Sequence, residues 1–149
     1  MKKVIFLSII SLLLFSFTKP ETIKWYSLTE GLEIARRENK PMLLFIYASW
    51  CDKCQRMEKK VFNNKDVLPL ITENFIPVKL NPEVDSAYFK SDKVLNRKVF
   101  LNEVTPGRLA ISVPTTVFYR EKEDENVIMN GLQDPEELTI NINKFLKKQ

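Results

Sequence analysis

The chain has no histidine, only two cysteines and a formal charge of only +4 over 149 residues. Each shortage removes a class of chemistry. Without histidine there is no imidazole to act as general base, proton shuttle or metal ligand. Zinc normally takes four Cys or His ligands, so two cysteines supply half a site at most. Lysines and arginines are scattered among acids rather than gathered together, which argues against a nucleic-acid partner. The longest apolar run, residues 4–17, has fourteen positions and is interrupted by Ser8, Ser11 and Ser16. That is too short for a comfortable membrane span. No internal repeat, low-complexity tract or second domain is visible.

The apolar run follows Met1-Lys2-Lys3 and has the size of a secretory signal, so residues 1–18 are expected to be removed on export. Ser16 and Thr18 are small enough to flank a cleavage site. There is no Ala-x-Ala, which leaves an uncleaved membrane anchor as the competing expectation. No cysteine precedes Cys51, which excludes a lipoprotein-type acylation. Residues 19–149 then form one domain of 131 residues with room for a core, and the formal charge falls to +2 with the loss of Lys2 and Lys3. The expected location lies across the inner membrane, in the periplasm, where disulfides persist.

The two cysteines stand in Trp50-Cys51-Asp52-Lys53-Cys54, directly after the six apolar residues 42–47. Without alternation, that run reads as a central strand buried on both faces. A strand feeding Cys-x-x-Cys at a helix start is a redox arrangement. Unpaired N–H groups and the positive end of the macrodipole stabilise a thiolate there. Cys51 is expected to be the nucleophile, with Trp50 packed beside it. One turn further in, about 5 to 6 Å between Cα atoms, Cys54 is placed to resolve the mixed disulfide. A structural staple competes with this reading, but closing so short a loop constrains the unfolded chain by only about 2 kcal/mol. A metal half-site also competes and would need carboxylates or a second chain. No metal and no cofactor are expected.

Residues 22–25 could be a short first strand. Ser27-Leu28-Thr29-Glu30 has the form of a capping box, and its helix, with Leu28, Leu32 and Ala35 on one face, stops before Lys40-Pro41. The Cys51 helix is expected to run to Phe62 with Met57 and Val61 inward, and Asn63-Asn64 to break it. Asp66 can cap a further helix with Pro69 in its first turn. Residues 75–80 are strand-like, and Pro77 demotes them to an edge or near-edge place. Residues 115–120 and 127–129 make two strands around the acidic turn 121–125. Asp134-Pro135-Glu136-Glu137 opens a last helix with Leu138, Ile142 and Phe145 buried.

That order, with Trp50-Cys51-x-x-Cys54 after a buried strand and Val113-Pro114-Thr115 before the final hairpin, resembles the thioredoxin superfamily. More narrowly, residues 50–58 followed by Phe75-Ile76-Pro77-Val78-Lys79-Leu80 look like exported thioredoxin-like proteins. These are related to the periplasmic thioredoxin-like arm of the membrane disulfide-reductase system. The resemblance covers residues 22–80 and 112–147. It implies an α/β thioredoxin fold: a central mixed β-sheet flanked by helices, with residues 81–112 inserted before the cis-Pro strand. It also implies that Cys51–Cys54 is a redox-active disulfide, that Pro114 is cis and packs against it, and that Val113 offers its backbone to the substrate. Trp50 and Val113 are the expected substrate-binding residues. An ordinary trans Pro114 is the plain alternative.

Thioredoxins carry a buried Asp six residues before the first cysteine, where it helps deprotonate the resolving thiol; Phe45 stands there in this chain. Glu58, four residues after Cys54 and seven after Cys51, shares their helix face. The reductase arms that this chain resembles have a Glu at this spacing, which implies a catalytic role. The alternative is solvent-facing charge, since Lys59 and Lys60 follow.

The expected activity is that of an exported thiol–disulfide oxidoreductase, a protein-disulfide reductase working through a mixed disulfide on protein disulfide substrates. A membrane thiol carrier would supply its electrons. Disulfide oxidase is the alternative direction, since Asp52 and Lys53 pull the Cys51 thiol in opposite senses. A thioredoxin-fold binding module or a copper(I) carrier represents the non-catalytic class. The protein is expected to act as a monomer. Residues 81–112, with five basic and four acidic side chains among large apolar ones, look packed and could restrict access to Cys51 or simply extend the core.

Overall fold

The computed structural model describes residues 22–84, 112–121 and 126–148. The expected signal segment 1–18 lies outside them, as does the expected insertion apart from residues 81–84 and 112.

The first helix, α1 (Leu28–Glu38), is fixed at both ends by its sequence. The Ser27 hydroxyl accepts the Glu30 N–H at 3.4 Å, and the Glu30 carboxylate accepts the Ser27 N–H at 3.1 Å. These two bonds close the capping box. The Ser27 hydroxyl also donates to the Glu30 carboxylate at 2.7 Å, and this bond first, then the Ser27 backbone bond, holds the Glu30 carboxyl below its ordinary value. Asn39 ends the helix in the left-handed conformation, φ 51°. Leu28, Gly31 and Leu32 form the buried face.

Strand β1 (Met42–Ile46) is buried at every position. It pairs in parallel with β2 (Ile76–Leu80) and antiparallel with β3 (Thr115–Tyr119), which pairs antiparallel with β4 (Val127–Asn130). The order β2-β1-β3-β4 puts β1 inside and Pro77 on an edge strand. Strand periodicity divides β1 between two cores. Met42, Leu44 and Ile46 pack with Leu28, Leu32 and Val78 under α1. Leu43 and Phe45 pack with Met57, Val61, Phe62, Phe75 and Phe118 on the other face. Each such fully buried Leu or Phe stabilises by about 1.5–3 kcal/mol.

The expected strand at residues 22–25 does not form. In its place Tyr26 makes one parallel bridge to Val78 on the outer side of β2. Its N–H donates to the Pro77 carbonyl at 2.9 Å, and its carbonyl accepts the Lys79 N–H at 3.1 Å. This pairing uses the side of β2 on which Pro77 lacks an N–H.

The second face is covered by α2 (Asp52–Arg56), which continues as a π-helical turn (Met57–Phe62), and by α3 (Val67–Asn74) and α4 (Pro135–Leu146). Asp66 precedes α3, but its side chain makes no capping bond; its N–H instead donates to Asn64 Oδ1 at 2.9 Å. Asp134 caps α4 as its sequence dictates, accepting the Glu137 N–H at 2.8 Å. Phe145 of α4 stacks with Phe75 and lies 5.3 Å from Phe118, which closes this core.

Candidate active site

Cys51 is the N-cap of α2, in extended conformation, and Cys54 lies in its first turn. The loop between β1 and α2 is short because β1 ends at Ile46 and the Cys51 N–H donates to the Ala48 carbonyl at 3.2 Å. The two cysteines form a disulfide with Cα atoms 5.3 Å apart. Both are buried, Cys51 at 6% and Cys54 at 1% relative exposure, so Cys51 is the more exposed residue of the two. The Cys54 N–H points at Cys51 Sγ, 3.2 Å away. A donor placed there can stabilise a Cys51 thiolate once the pair is reduced.

Trp50 precedes the disulfide and stands out from it, 68% exposed, rather than packed in the core. Its indole Nε1–H donates to both oxygens of Glu83, each at 3.1 Å. Across the sheet, Ile46 and Thr115 are register partners, so Val113 and Pro114 lie at the same end of the sheet as the redox loop. The Val113–Pro114 peptide bond is cis. The Pro114 carbonyl accepts the Gly131 N–H at 2.8 Å, and the Thr115 hydroxyl donates to the Ser112 carbonyl at 2.6 Å. The first bond ties the approach to β3 to the residue after β4, and the second closes the turn that leads into β3.

Glu58 lies in the π-helical turn and is half-buried. Its carboxylate pairs with Lys79 of β2 at 2.6 Å, and the same ammonium sits 4.3 Å from the centre of the Tyr47 ring. Phe45 fills the place of the expected thioredoxin carboxylate. It is fully buried and packs edge-on against Phe62 at 4.9 Å and stacks on Tyr47. The structure thus gathers Cys51, Cys54, Trp50, Val113 and Pro114 at one end of the sheet, and ties Glu58 to β2.

Lys79 and Glu83 were not singled out in the sequence. Lys79 alternates with buried residues in β2, which reads as an outward charge, and Glu83 lies 33 positions from its partner Trp50. A cavity of about 480 Å³ beside Arg36, Lys40, Tyr119 and Lys148 opens at the other end of β1 and has no part in this site.

A family model described as thioredoxin-like matches residues 24–120. Over 71 residues the chain is 37% identical to human "Spermatogenesis-associated protein 20", a match covering 44% of this chain but 9% of that protein. Among solved structures, "DsbH Oxidoreductase" superposes with TM-score 0.63 at 17% identity, covering 93% of this chain and 94% of that one. The oxidised C-terminal domain of DsbD from Neisseria meningitidis gives TM-score 0.53 at 17% identity, covering 81% of this chain and 98% of that one. At such identities the two structures establish a shared fold, with its mixed sheet between helices.

Proposed function

The chain belongs to the thioredoxin-like family, and on that premise we propose that it is an exported protein-disulfide reductase. The broader class, thiol–disulfide oxidoreductase, follows from the fold together with the Cys51–Cys54 disulfide. The observation that carries the reading is the placement of that disulfide at a helix start, with the Cys54 N–H aimed at Cys51 Sγ.

In the reduced protein the Cys51 thiolate attacks one sulfur of a substrate disulfide. A mixed disulfide forms and the other substrate sulfur leaves as a thiolate. Cys54 then loses its proton and attacks Cys51 Sγ, which restores the Cys51–Cys54 disulfide and releases the second substrate thiol. Two electrons pass from the dithiol to the substrate. In this reading Glu58 takes the Cys54 proton, Pro114 borders the disulfide, and Val113 and Trp50 hold the substrate chain. A membrane thiol carrier reduces the disulfide for the next cycle. The protein works as a monomer in the periplasm, with residues 1–18 removed.

An insulin-reduction assay tests the activity: the chain should accelerate insulin precipitation by dithiothreitol, and no acceleration over the reagent alone defeats the proposal. The direction is read from the reduction potential. A value near the thioredoxin range, about −270 mV, supports a reductase, and one near about −120 mV makes the protein an oxidase. Export predicts a soluble periplasmic protein starting near Lys19; finding Met1 on that fraction would sink it.

A further inference from the structure

One buried polar group has no role in the site as described. Thr116 of β3 is fully buried, and its hydroxyl makes no hydrogen bond. The neighbouring Thr115 differs, since its hydroxyl donates to the Ser112 carbonyl at 2.6 Å. A buried hydroxyl without a partner is costly, and a valine of the same shape would avoid that cost.

The sheet register shows which face the hydroxyl occupies. Thr116 stands between Phe45 of β1 and Met129 of β4, and register partners share a face. Phe45 and Met129 belong to one buried cluster with Cys51, Cys54 and Met57, as does Phe118, two residues further along β3. Thr116 therefore lies on the face that the redox helix covers, two positions after Pro114. Phe45 offers Cys54 no polar atom. On the other side of Phe45 stands Lys79, whose ammonium is engaged by Glu58.

We propose that Thr116 is a further catalytic residue, whose hydroxyl donates a hydrogen bond to Cys54 Sγ once the disulfide opens. In the oxidised protein Cys54 Sγ is bonded to Cys51 Sγ and carries no charge. A sulfur in that state is a weak acceptor, whereas a thiolate is a charge-assisted one. The hydroxyl is thus unpaired in the disulfide form and satisfied in the dithiol form. Thr116 itself loses no proton. Cys54 gives up its proton and attacks Cys51 Sγ, and the bond from Cys51 to the substrate breaks with its electron pair leaving on the substrate sulfur. Thr116 stabilises the charge that Cys54 carries into this attack. The other groups on this face that act on the Cys54 proton are Cys51, Glu58 and its partner Lys79. Every other charged side chain of α2, the π-helical turn, α3 and α4 is exposed, Asp52 and Lys53 included.

The inference rests on the proposed function for the release step alone, and the hydrogen bond is measured apart from it. Thr116→Val keeps the shape and removes the hydroxyl; Thr116→Ser keeps the hydroxyl. In a Cys51→Ala background, ultraviolet absorbance follows the Cys54 thiolate from pH 5 to 11. Thr116→Val should raise its midpoint by about one pH unit, a tenfold change in acid constant, and Thr116→Ser should leave it in place. With both cysteines present, single-turnover reduction of insulin should show mixed-disulfide release slowed about tenfold at pH 7 by Thr116→Val. That gap should close as pH rises past the Cys54 midpoint, since the substitution then leaves no difference in ionisation. Urea unfolding should show Thr116→Val to be folded and at least as stable as wild type when oxidised. An unmoved Cys54 midpoint in folded Thr116→Val overturns the inference. Equal shifts in Val and Ser also overturn it, because packing and not the hydroxyl would then be responsible. A wild-type chain that reduces no insulin, with the midpoint still raised by Val and not by Ser, overturns the proposed function and supports the hydrogen bond.

Discussion

In the parallel ladder between β1 and β2, Phe45 stands directly opposite Lys79, on the face of the sheet that the redox helix covers. Thioredoxins place a carboxylate at the Phe45 position. Here Lys79 pairs with Glu58 from the π-helical turn, and Phe45 contributes aromatic packing. The ion pair bridges the element carrying the cysteines to the edge strand of the sheet.

Both partners of this pair are less than a third exposed, which makes it stronger than an open surface bridge. Lys79→Met should lower stability by about 1 kcal/mol, read from urea unfolding. If Glu58 serves Cys54 as the proposed mechanism requires, Glu58→Gln should slow release of the mixed disulfide by at least about tenfold in a folded protein. Turnover equal to wild type from pH 6 to 9 would leave Glu58 a structural partner of Lys79 only.

The two cysteines should behave unequally once reduced. Cys54→Ser leaves a Cys51 that can attack but has no resolving thiol, so mixed disulfides should accumulate and survive on non-reducing gels. Cys51→Ser should trap nothing, since Cys54 is the more deeply buried of the pair. Equal alkylation of both thiols at neutral pH in the reduced wild type would contradict this assignment.

Gly31 is needed for the close packing of α1 on β2. A Cβ built there would meet Val78 Cγ2 at 2.2 Å. Alanine gains about 1 kcal/mol in helix propensity over glycine, whereas overpacking costs about 1–3 kcal/mol. Gly31→Ala should therefore be net destabilising, by about 1 kcal/mol. A rise in the urea midpoint would show that helix and strand separate without strain.

Glu30 supplies a pH-dependent part of the stability. Its carboxyl is held below the ordinary value near 4.5, first by the Ser27 side-chain bond and then by the Ser27 backbone bond. A carboxyl lowered in the folded state stabilises fully above its unfolded value and loses that contribution as pH falls through the folded one. Between pH 6 and pH 3, stability should fall less in Ser27→Ala than in wild type, since the substitution removes the side-chain part of the shift. Parallel curves for the two proteins would mean that the capping box does not carry the effect.

What the sequence made legible is local and periodic. The capping box at Ser27, the unbroken apolar run of β1, the demotion by Pro77 and the Asp134-Pro135 start of α4 all depend on residues a few positions apart. Features settled by tertiary docking were harder to read. Tyr26 pairs with a single residue of β2, too little to leave a periodic signal. Met57, Val61 and Phe62 are all inward, a spacing that an α-helix and a π-helical turn satisfy alike. At the site, the Cys-x-x-Cys spacing announced its chemistry. The partners of Glu58 and Trp50 did not, since each lies more than twenty positions away along the chain.

The Tyr26 bridge also bears on what the molecule avoids. An open sheet edge is a template on which another chain can add a strand. Along the outer side of β2, Pro77 has no N–H to offer, and Tyr26 already occupies the Pro77 carbonyl and the Lys79 N–H. A reductase of the proposed kind meets half-folded clients whose own strands are unpaired. At this edge such a client would meet a Pro77 without an N–H, and a Pro77 carbonyl and Lys79 N–H already taken by Tyr26.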